Sequence, residues 1–325
     1  MNADASAGRA GGRAADGPVL IVGATGFVGK AVVEALRARG RAVRAVSRSP
    51  RPPEPGVEWV RADLTEPGDV EGLAEGASAS VHLATSAVPR VLEHDPVRDV
   101  RENLVPVIHL HDELARAGVG KHVFISSGGT VYGPSDRPML DERDPTRPIS
   151  SYGIHKLAAE GHVARLAHRH GVHCTVLRPS NPYGPGQDPN GGLGLVASAL
   201  RRALDDEPIV VWGDGSVVRD YVYVTDVADA IVRALDYRGD EPVLNCGSGQ
   251  GLSVNEVIDH VAEATGRRPR VDYQDPRRMD VPRSVLSIDR LRRECDWRPR
   301  VDIQQGLRLF RAWMEGGDAP AEGPE

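Results

Sequence analysis

Short apolar runs alternate with amphipathic stretches along the first half of the chain. Residues 18–22 form an uninterrupted apolar run, as expected for a central parallel strand that is buried on both faces. Residues 31–39 have the periodicity of a helix, which would end at Gly40. Later segments of the same kind are predicted strands at 42–47, 57–62, 80–83 and 122–126 and a long predicted helix at 97–117. This alternation predicts an α/β fold with a doubly wound parallel sheet.

Three glycines lie between the first predicted strand and the first predicted helix. Gly23, Gly26 and Gly29 have the spacing G-x-x-G-x-x-G. In this position glycines allow a tight turn, let a pyrophosphate approach the backbone, and let the helix pack closely on the strand. The sequence therefore predicts a dinucleotide-binding turn of the Rossmann type.

A tyrosine and a lysine further along the chain share one face of a predicted helix. Tyr152 and Lys156 are four residues apart, and Lys156 is one of only three lysines in a chain rich in arginine. An ammonium group beside a phenol favours the phenolate. We therefore expect Lys156 to lower the pKa of Tyr152 and to make it a proton donor and acceptor near neutral pH. His155, inside this motif, is expected to be a surface residue.

The glycine turn and the Tyr152/Lys156 pair together resemble the extended short-chain dehydrogenase/reductase family, in its nucleotide-sugar epimerase/dehydratase branch. The resemblance extends from about residue 19 to about residue 313, which is nearly the whole chain. Further segments that resemble the family are 61–64, 81–84, 124–133, 177–184, 212–221, 277–281 and 296–299, together with Asn103. The resemblance implies an NAD(P)-dependent enzyme that acts on a nucleotide sugar.

The resemblance also implies two interleaved parts of the chain. Residues 18–182 are expected to form the NAD(P)-binding Rossmann domain, which later segments complete. Residues 183–314, which begin with a stretch rich in glycine and proline, are expected to form mainly a smaller substrate-binding lobe. The two ends, 1–17 and 315–325, are expected to be disordered tails because their composition cannot form a core.

Most of the candidate site follows from the resemblance. Tyr152 and Lys156 are the implied catalytic pair, and Ser127 and Thr130 are candidates for an accompanying hydroxyl. The residues implied to bind the cofactor are Gly23, Thr25, Gly26, Phe27, Val28, Gly29, Ser47, Arg48, Asp63, Leu64, Leu83, Ala84, Thr85, Asn103, Ser126, Tyr152, Lys156 and Pro179. The residues implied to bind the sugar nucleotide are Asn181, Arg219, Tyr221, Arg277 and Asp280.

Two of the residues implied to bind the sugar nucleotide could instead have a purely structural role. Asn181 could cap a turn before Pro182, a common place for asparagine. Arg219 could form only a surface ion pair with Asp220, which would contribute little to stability. Within the family pattern we favour contacts with the diphosphate, in which Asn181 donates its amide and Arg219 supplies charge, as Arg277 would.

The end of the second predicted strand bears on the choice of cofactor. An NAD site places an acidic residue about 20 residues after the glycines, where it binds the ribose hydroxyls. Residues 42–50 contain no carboxylate, and Arg48 beside Ser47 suits a phosphate. We therefore favour NADP(H) over NAD(H). The alternative is that Arg48 stacks on the adenine or faces solvent.

The loop that follows the fifth predicted strand excludes several reactions known in the family. Dehydratases have an acidic pair in the segment that corresponds to 128–130, which here reads Gly-Gly-Thr. Decarboxylating relatives have a glutamate in this loop and 3,5-epimerising reductases have a cysteine, and this chain has neither there. Once these reactions are excluded, the remaining reaction is hydride transfer at a carbinol carbon. The family's usual hydroxyl falls on Gly128, so Ser127 or Thr130 would have to replace it.

Three functions are compatible with these residues. The first is an NADPH-dependent 4-ketoreductase of a nucleotide-activated (dTDP-type) 4-keto-6-deoxyhexose. The second is an NAD-dependent UDP-hexose 4-epimerase, which would use the same residues. The third is a non-catalytic nucleotide-sensing protein of the same fold, and the presence of both Tyr152 and Lys156 argues against it.

The composition of the chain indicates which classes of partner and which cellular compartment to expect. The net charge of −6 argues against a nucleic-acid partner. The cysteines, Cys174, Cys246 and Cys295, lack the spacing of a metal site, so we expect no metal and free thiols in a reducing, cytoplasmic compartment. No segment is apolar for long enough to span a membrane.

The resemblance finally implies an isologous homodimer. Relatives pair two helices, here at 97–117 and 151–170, across a two-fold axis. The apolar residues that we expect to supply a second stripe on these helices are Val107, Leu110, Leu114, Leu157 and Leu166. The alternative is a monomer in which these residues all face the sheet.

Overall fold

The structure, a computed structural model, describes residues 17–85, 95–189, 194–276 and 281–317. Its strands are β1 (Val19–Val22), β2 (Val43–Ser47), β3 (Val57–Arg61), β4 (Ala79–His82), β5 (Lys121–Ile125), β6 (His173–Pro179), β7 (Asn181–Tyr183), β8 (Ile209–Trp212), β9 (Val218–Tyr223), β10 (Val243–Cys246), β11 (Gly251–Ser253), β12 (Val271–Gln274) and β13 (Arg283–Ser284). Its helices are α1 (Phe27–Ala38), α2 (Pro67–Val70), α3 (Pro96–Asp99), a π-helical segment (Val100–Leu104), α4 (Val105–Arg116), α5 (Ser151–His170), α6 (Leu195–Leu204), α7 (Val224–Asp236), α8 (Val254–Thr265), α9 (Asp289–Cys295) and α10 (Ile303–Met314).

Seven parallel strands form the central sheet, in the order β10-β6-β5-β4-β1-β2-β3. This confirms the predicted doubly wound sheet, and the strands predicted after β1 are correct to within one residue at each end. The chain runs outward from β1 to β3 and then returns to build the other side from β4, so the strand order reverses between β1 and β4. In open α/β sheets the ligand cleft is expected at the carboxyl ends of the strands at this point.

Apolar side chains hold helices against both faces of the sheet. All four residues of β1 are buried. Helices α1 and α7 share one apolar core with one face of the sheet, and α4 and α5 share a second core with the other face. Burial of each large apolar side chain contributes about 1.5–3 kcal/mol, which explains why β1 is apolar along its whole length.

The single helix predicted at 97–117 consists of three helical segments in the structure. The π-helical segment lies between α3 and α4, and Pro106 is in the first turn of α4. Proline has no N–H to donate to the carbonyl four residues earlier, that of Glu102, and its ring would crowd that carbonyl in a regular α-helix. A wider turn before Pro106 accommodates the ring, and such turns are frequent at functional sites.

Beyond β6 the chain builds a second group of elements. Strands β7, β9, β11 and β13 form a four-stranded sheet, and β8 pairs with β12. Helices α6, α8 and α10 pack around these strands in an apolar core of their own. Strand β10 returns to the central sheet and pairs with β6. The boundary drawn at residue 182 stays a prediction, and the two predicted tails lie outside the described residues except for residue 17 and residues 315–317.

The apolar residues expected on a second helical stripe are buried or partly buried in the fold. Four of them are buried in the core between the sheet and the helices: Val107, Leu110, Leu114 and Leu166. The fifth, Leu157, is partly buried against a small cluster that includes Val131. The assignment of these side chains to a free face was therefore wrong, because the i, i+3 and i+4 positions chosen are those that face the sheet. Across the described residues, no helix is long and apolar enough to cross a membrane.

Three histidines are buried between the sheet and helices α4 and α5. His82, His111 and His122 are each at most 2% exposed. His122 Nδ1 lies 2.8 Å from Ser80 Oγ, and its ring packs edge-on against that of His111 at 5.1 Å. Neither ring nitrogen of His111 has a hydrogen-bond partner in the described part of the chain. Burial, with a further contribution from the charge of His162, lowers the pKa of His111 to about 3.

We predict that His111 makes the fold sensitive to acid. Its pKa is about 3 in the folded chain and 6.5 in a solvated one. Its contribution to stability is therefore complete above about pH 6.5 and is lost as the pH falls towards 3, by about 1.4 kcal/mol per pH unit. His111→Leu should reduce the loss of unfolding free energy between pH 7.5 and pH 5.5 by about 1.4 kcal/mol, as measured by urea unfolding.

His168, exposed near the end of α5, provides the matched control. His168→Leu should show the same loss between the two pH values as the wild type. If His111→Leu also shows the wild-type loss, His111 is not a source of the acid sensitivity.

Candidate active site

A cleft of about 600 Å³ opens at the switch point of the central sheet. Every residue that the resemblance implied for cofactor binding lines this cleft, from Gly23 on the glycine turn to Pro179 at the end of β6. Ser127 lines it as well, whereas Thr130 does not. The structure therefore brings the glycine turn, the end of β2 and the Tyr152/Lys156 pair, which are far apart in sequence, to one cavity.

The glycine turn has no room for side chains at two of its three glycines. Gly23 has a φ of +91°, and a β-carbon there would lie 2.7 Å from the backbone nitrogen of Ala84. A β-carbon at Gly29 would lie 2.0 Å from the Gly23 carbonyl oxygen. No side chain caps the first turn of α1, which begins after Gly26. The first N–H groups of a helix have no carbonyl partner within the helix, so this end of α1 fits the pyrophosphate of a dinucleotide.

The end of β2 places a cation at the cleft and no carboxylate. Arg48 is exposed and lines the cleft. Ser47 is buried, and its hydroxyl donates to the Ser49 carbonyl oxygen at 2.8 Å. The carboxylate on the neighbouring loop is that of Asp63, which accepts from the N–H and the hydroxyl of Thr65. These hydrogen bonds lower the pKa of Asp63, and the charge of Arg48 adds to the effect.

Helix α5 holds Tyr152 and Lys156 at the floor of the cleft. Ser150 caps the helix by accepting from the Gly153 N–H at 3.1 Å. Lys156 Nζ donates to the Ile125 carbonyl oxygen at 3.0 Å, and it lies 5.8 Å from the centre of the Tyr152 ring. Burial lowers the pKa of Lys156 to about 8.

The expected lowering of the pKa of Tyr152 by Lys156 is wrong for this structure. Burial raises the pKa of Tyr152 to about 12, and the negative charge of Asp99 adds to the rise. A hydrogen bond with Ser127 opposes the rise. The ammonium group of Lys156 lies over the face of the Tyr152 ring and donates to a backbone carbonyl. The four-residue spacing of Lys156 and Tyr152 therefore did not predict how Lys156 would affect the pKa of the phenol. At neutral pH the phenol is protonated.

Packing explains why the loop after β5 has a glycine where the family has a hydroxyl. A β-carbon at Gly128 would lie 2.4 Å from Leu286 Cδ1 and 2.9 Å from the Arg178 carbonyl oxygen. Any side chain there would displace Leu286, a core residue. Of the two candidate substitutes, Ser127 lines the cleft and binds Tyr152. Thr130 Oγ1 is buried and has no hydrogen-bond partner among the described residues.

A buried ion pair between Arg178 and Glu160 holds the loop that follows β5 in place. Arg178 donates to both carboxylate oxygens of Glu160, at 3.0 and 2.6 Å, and to the hydroxyl of Tyr132 at 3.0 Å. Ser126 Oγ donates to Glu160 Oε1 at 2.5 Å. The Tyr132 hydroxyl donates to Asn245 Oδ1 at 2.7 Å. Glu160 was missed by the sequence analysis, although its place four residues after Lys156 puts it on the same face of the helix.

Three of the five residues implied for the sugar nucleotide are described, and none of these three lines the cleft. Asn181 donates its amide to the Asp220 carbonyl oxygen at 2.8 Å. Arg219 Nη1 donates to the carbonyl oxygens of Val218 and Val281. Tyr221 is buried in the second apolar core. The two other implied residues, Arg277 and Asp280, lie outside the described residues.

The alternative in which Arg219 pairs with Asp220 is wrong. Successive strand residues point to opposite faces, and Asp220 is fully buried. Its carboxylate accepts hydrogen bonds from Ser180 Oγ, Ser248 N, Ser248 Oγ, Gly249 N and Leu286 N. Asp220 therefore ties the loops after β6, β10 and β13 together beneath the cleft.

His155, which was expected on the surface, is buried. It is 4% exposed, and its Nδ1 lies 2.8 Å from Asp99 Oδ1. This pair could not be predicted from the sequence, because Asp99 and His155 belong to different helices. The expectation was wrong because α3 packs against α5 and covers this side of the Tyr-Lys motif.

Comparison with families and curated proteins places this cleft among enzymes of sugar nucleotides. The model of the NAD dependent epimerase/dehydratase family matches residues 19–247. A UDP-glucose 4-epimerase of Mycolicibacterium smegmatis is 34% identical over 299 residues, which are 89% of this chain and 95% of that protein. A dTDP-4-dehydro-6-deoxyglucose reductase of Escherichia coli is 31% identical over 300 residues, again 89% of this chain and 95% of that protein.

Solved structures agree with these similarities. A UDP-glucose 4-epimerase of Thermus thermophilus in complex with NAD has a TM-score of 0.84 and 36% identity, over 92% of this chain and 99% of that chain. A UDP-glucose 4-epimerase of Thermotoga maritima with UDP-glucose has a TM-score of 0.87 and 32% identity, with the same coverage of both chains.

We predict that Ser127 supplies the hydroxyl that the family has at the position of Gly128. Ser127→Ala should lower kcat by roughly 10²-fold, as the loss of a positioned proton-transfer partner does. Steady-state kinetics with the nucleotide-sugar substrate measure this effect.

Thr130→Ala is the matched control, because it removes a hydroxyl from the same loop outside the cleft. It should leave kcat essentially unchanged. Full rate in Ser127→Ala would mean that Tyr152 works without a hydroxyl partner.

Proposed function

The chain belongs to the NAD dependent epimerase/dehydratase family, and within it we propose an NADPH-dependent 4-ketoreductase of a nucleotide-activated (dTDP-type) 4-keto-6-deoxyhexose. Membership makes it an NAD(P)-dependent enzyme that acts on sugar nucleotides. The observation that carries the finer proposal is the end of β2, where Arg48 stands at the cleft and residues 43–50 contain no carboxylate.

Arg48 favours NADPH over NADH because the two cofactors differ by one phosphate group. NADPH carries a 2′-phosphate on the adenosine ribose, and a planar guanidinium can bind a phosphate with two parallel hydrogen bonds. NAD sites instead use a carboxylate for the ribose hydroxyls. Arg48 makes no hydrogen bond or ion pair with another described side chain, so its guanidinium is available to a phosphate. Net reduction consumes an exchangeable cofactor, which NADPH would be.

The residues that line the cleft would hold NADPH along its length. The glycine turn and the start of α1 would bind the pyrophosphate, Asp63 and Leu64 the adenine, and Lys156 the nicotinamide ribose. When bound, the nicotinamide would supply the hydride that reduces the keto carbon. The backbone of the turn at one end of the cleft and α5 at the other would thus hold the cofactor.

Tyr152 would provide the proton for the same reaction. Its pKa is about 12, so the phenol carries its proton at neutral pH and can donate it to the alkoxide that forms on the substrate. Ser127 would orient the phenol through the hydrogen bond between them. Dehydration is disfavoured because residues 128–130, where dehydratases have their acidic pair, carry no carboxylate and Gly128 has no room for one.

The diphosphate of the substrate would lie near Asn181 and Arg219. The Asn181 amide is about 4 Å from the place that a β-carbon at Gly129 would occupy, so this side chain borders the active-site loop. One hydrogen of its amide binds the Asp220 carbonyl oxygen, and the other is available for a phosphate oxygen. Arg219 would add positive charge from the neighbouring strand.

A UDP-hexose 4-epimerase is the second candidate. The similarity to UDP-glucose 4-epimerases, among them the Thermus thermophilus structure with NAD, favours it. It would use Tyr152 and Lys156 but would regenerate its cofactor in each turnover. A non-catalytic sensor is less well supported, because Tyr152, Lys156 and Ser127 all meet in the cleft.

We predict that the protein consumes one NADPH for each molecule of a dTDP-4-keto-6-deoxyhexose reduced. NADPH absorbance and product analysis by mass spectrometry measure the ratio. Tyr152→Phe should abolish turnover and leave cofactor binding intact, because only the proton carrier is lost. Conversion of UDP-glucose to UDP-galactose without net consumption of cofactor would instead establish the epimerase.

Cofactor binding supplies the control for this assay. Arg48→Ala should raise the Kd for NADPH about tenfold or more, a loss of about 1.4 kcal/mol, and should leave the Kd for NADH unchanged. Arg51→Ala removes the same charge nearby from a side chain that lies over Trp59 and does not line the cleft, and it should change neither. Equal weakening of both cofactors by Arg48→Ala would exclude the phosphate-binding role.

We also propose that the protein is an isologous homodimer. The apolar side chains that support it are Val97 and Val100, in α3 and the π-helical segment, and Ile154 on α5. They are 59%, 44% and 57% exposed, and α3 packs against α5. Three apolar side chains exposed on adjoining helices form a patch that a second copy of the chain could cover.

Light scattering at micromolar concentration tests the dimer. We expect about twice the chain mass of 34.9 kDa, and a shift towards the single-chain mass in the double variant Val97→Asp with Ile154→Asp. Val210→Asp, which places the same charge at an exposed valine on β8, should leave the mass unchanged. A wild-type mass near 34.9 kDa refutes the proposal.

A further inference from the structure

Leu286 reaches the active-site loop, residues 126–133, from the second half of the chain. It follows β13 by two residues and is fully buried. Its N–H donates to the Asp220 carboxylate at 3.2 Å. The Leu140 N–H donates to the Val285 carbonyl oxygen, and the Ser287 N–H donates to the Leu140 carbonyl oxygen, both at 2.8 Å. These hydrogen bonds fix the backbone on either side of Leu286.

The active-site loop begins as an extension of β5. The N–H groups of Ser126 and Gly128 donate to carbonyl oxygens of β6, each at 2.8 Å, so the pairing of the two strands continues to residue 128. In an extended chain successive residues point to opposite faces. Ser127 lines the cleft and forms a hydrogen bond with Tyr152, whereas Gly128 does not line the cleft. Gly128 therefore faces away from the cleft.

Leu286 fills the space that a side chain at position 128 would need. A β-carbon there would lie 2.4 Å from Leu286 Cδ1 and 3.2 Å from Leu286 Cδ2. It would also lie 2.9 Å from the Arg178 carbonyl oxygen. Carbon atoms pack at roughly 3.5–4.0 Å, so glycine is the residue that lets the loop lie this close to Leu286. The side chain of Leu286 thus limits where the backbone of the loop can stand.

A small apolar cluster joins Leu286 to the loop and to the catalytic helix. Its buried members are Val131, Tyr132, Leu140 and Leu286. Leu157, on α5, packs against them. Burial of these side chains away from water holds the cluster together. The cluster therefore fixes the loop, which carries Ser127, relative to the helix that carries Tyr152.

We propose that Leu286 is a positioning residue of the active site, whose packing against Gly128 holds the loop where Ser127 faces Tyr152. This inference rests on the role proposed above for Ser127 as the hydroxyl partner of Tyr152. A larger residue at position 128 would push the loop off Leu286 and carry Ser127 away from Tyr152. A misplacement of about 1 Å is enough to lower a rate about 10²-fold.

Exchange of one carbon between the two positions tests the contact. Gly128→Ala should lower kcat about tenfold or more and leave the Kd for NADPH unchanged, because residue 128 does not line the cleft. Adding Leu286→Val to it conserves the volume, which cores tolerate best, and should raise kcat again by about threefold or more. The contact with the Arg178 carbonyl oxygen is common to both variants, so their difference reports on Leu286. Wild-type kcat in Gly128→Ala, or no recovery in the double variant, overturns the proposal.

Two further variants are matched controls. Gly161→Ala makes the same exchange at a glycine of α5 where a β-carbon would meet nothing within 4 Å, and it should keep the wild-type kcat. Leu140→Val removes the same carbon from the same cluster, but the atoms nearest to a β-carbon at position 128 belong to Leu286 and Arg178. It should not restore Gly128→Ala. Equal recovery with Leu140→Val would mean that a looser core, and not the contact with Leu286, is responsible, and would overturn the proposal.

A second cycle serves if Gly128→Ala does not fold. Leu286→Ala removes the side chain against which the loop packs and should lower kcat about tenfold. In the Ser127→Ala background it should cause no further loss, because both changes act through one hydroxyl and their effects are then not additive. Additive losses would show that Leu286 acts on the rate by another route, and they too overturn the proposal.

Crystal structures of the variants measure the position of Ser127 without any sugar substrate. The distance between the Ser127 and Tyr152 hydroxyl oxygens should exceed about 3.5 Å in Gly128→Ala and should return to hydrogen-bond length when Leu286→Val is added. An intact hydrogen bond in Gly128→Ala contradicts the positioning role, even if the proposed reaction is confirmed. If the bond breaks as expected but the wild type turns over neither a 4-keto sugar nucleotide nor UDP-glucose, the positioning role stands and the proposed function is wrong.

Discussion

The buried ion pair between Glu160 and Arg178 is the interaction on which the active site depends. It joins α5, which carries Tyr152, to strand β6 in the central sheet. Both side chains are less than 10% exposed, so the loss of either would leave an unpaired buried charge at a cost of about 3–5 kcal/mol. Ser126 and Tyr132 bind the same pair. The active-site loop and the catalytic helix are therefore positioned by one set of hydrogen bonds.

The sequence predicted the parts of the site that depend on local spacing. The glycines and the Tyr152/Lys156 pair each occupy a single turn or helix face, and an α/β alternation with short connections leaves few sheet orders. The strands after β1 could be placed to within one residue, and all residues expected at the cofactor line one cleft. Local geometry and the switch point of a parallel sheet together determine these positions.

The features that could not be predicted from the sequence depend on contacts between distant segments of the chain. Gly128 is a glycine because Leu286, from the second half of the chain, fills the space beside it. His155 is buried because α3 covers it and supplies Asp99. Burial raises the pKa of Tyr152, and a carboxylate from another helix adds to the rise. Spacing along one helix cannot contain this information, since it gives neither the depth of a side chain nor the charges that other elements bring to it.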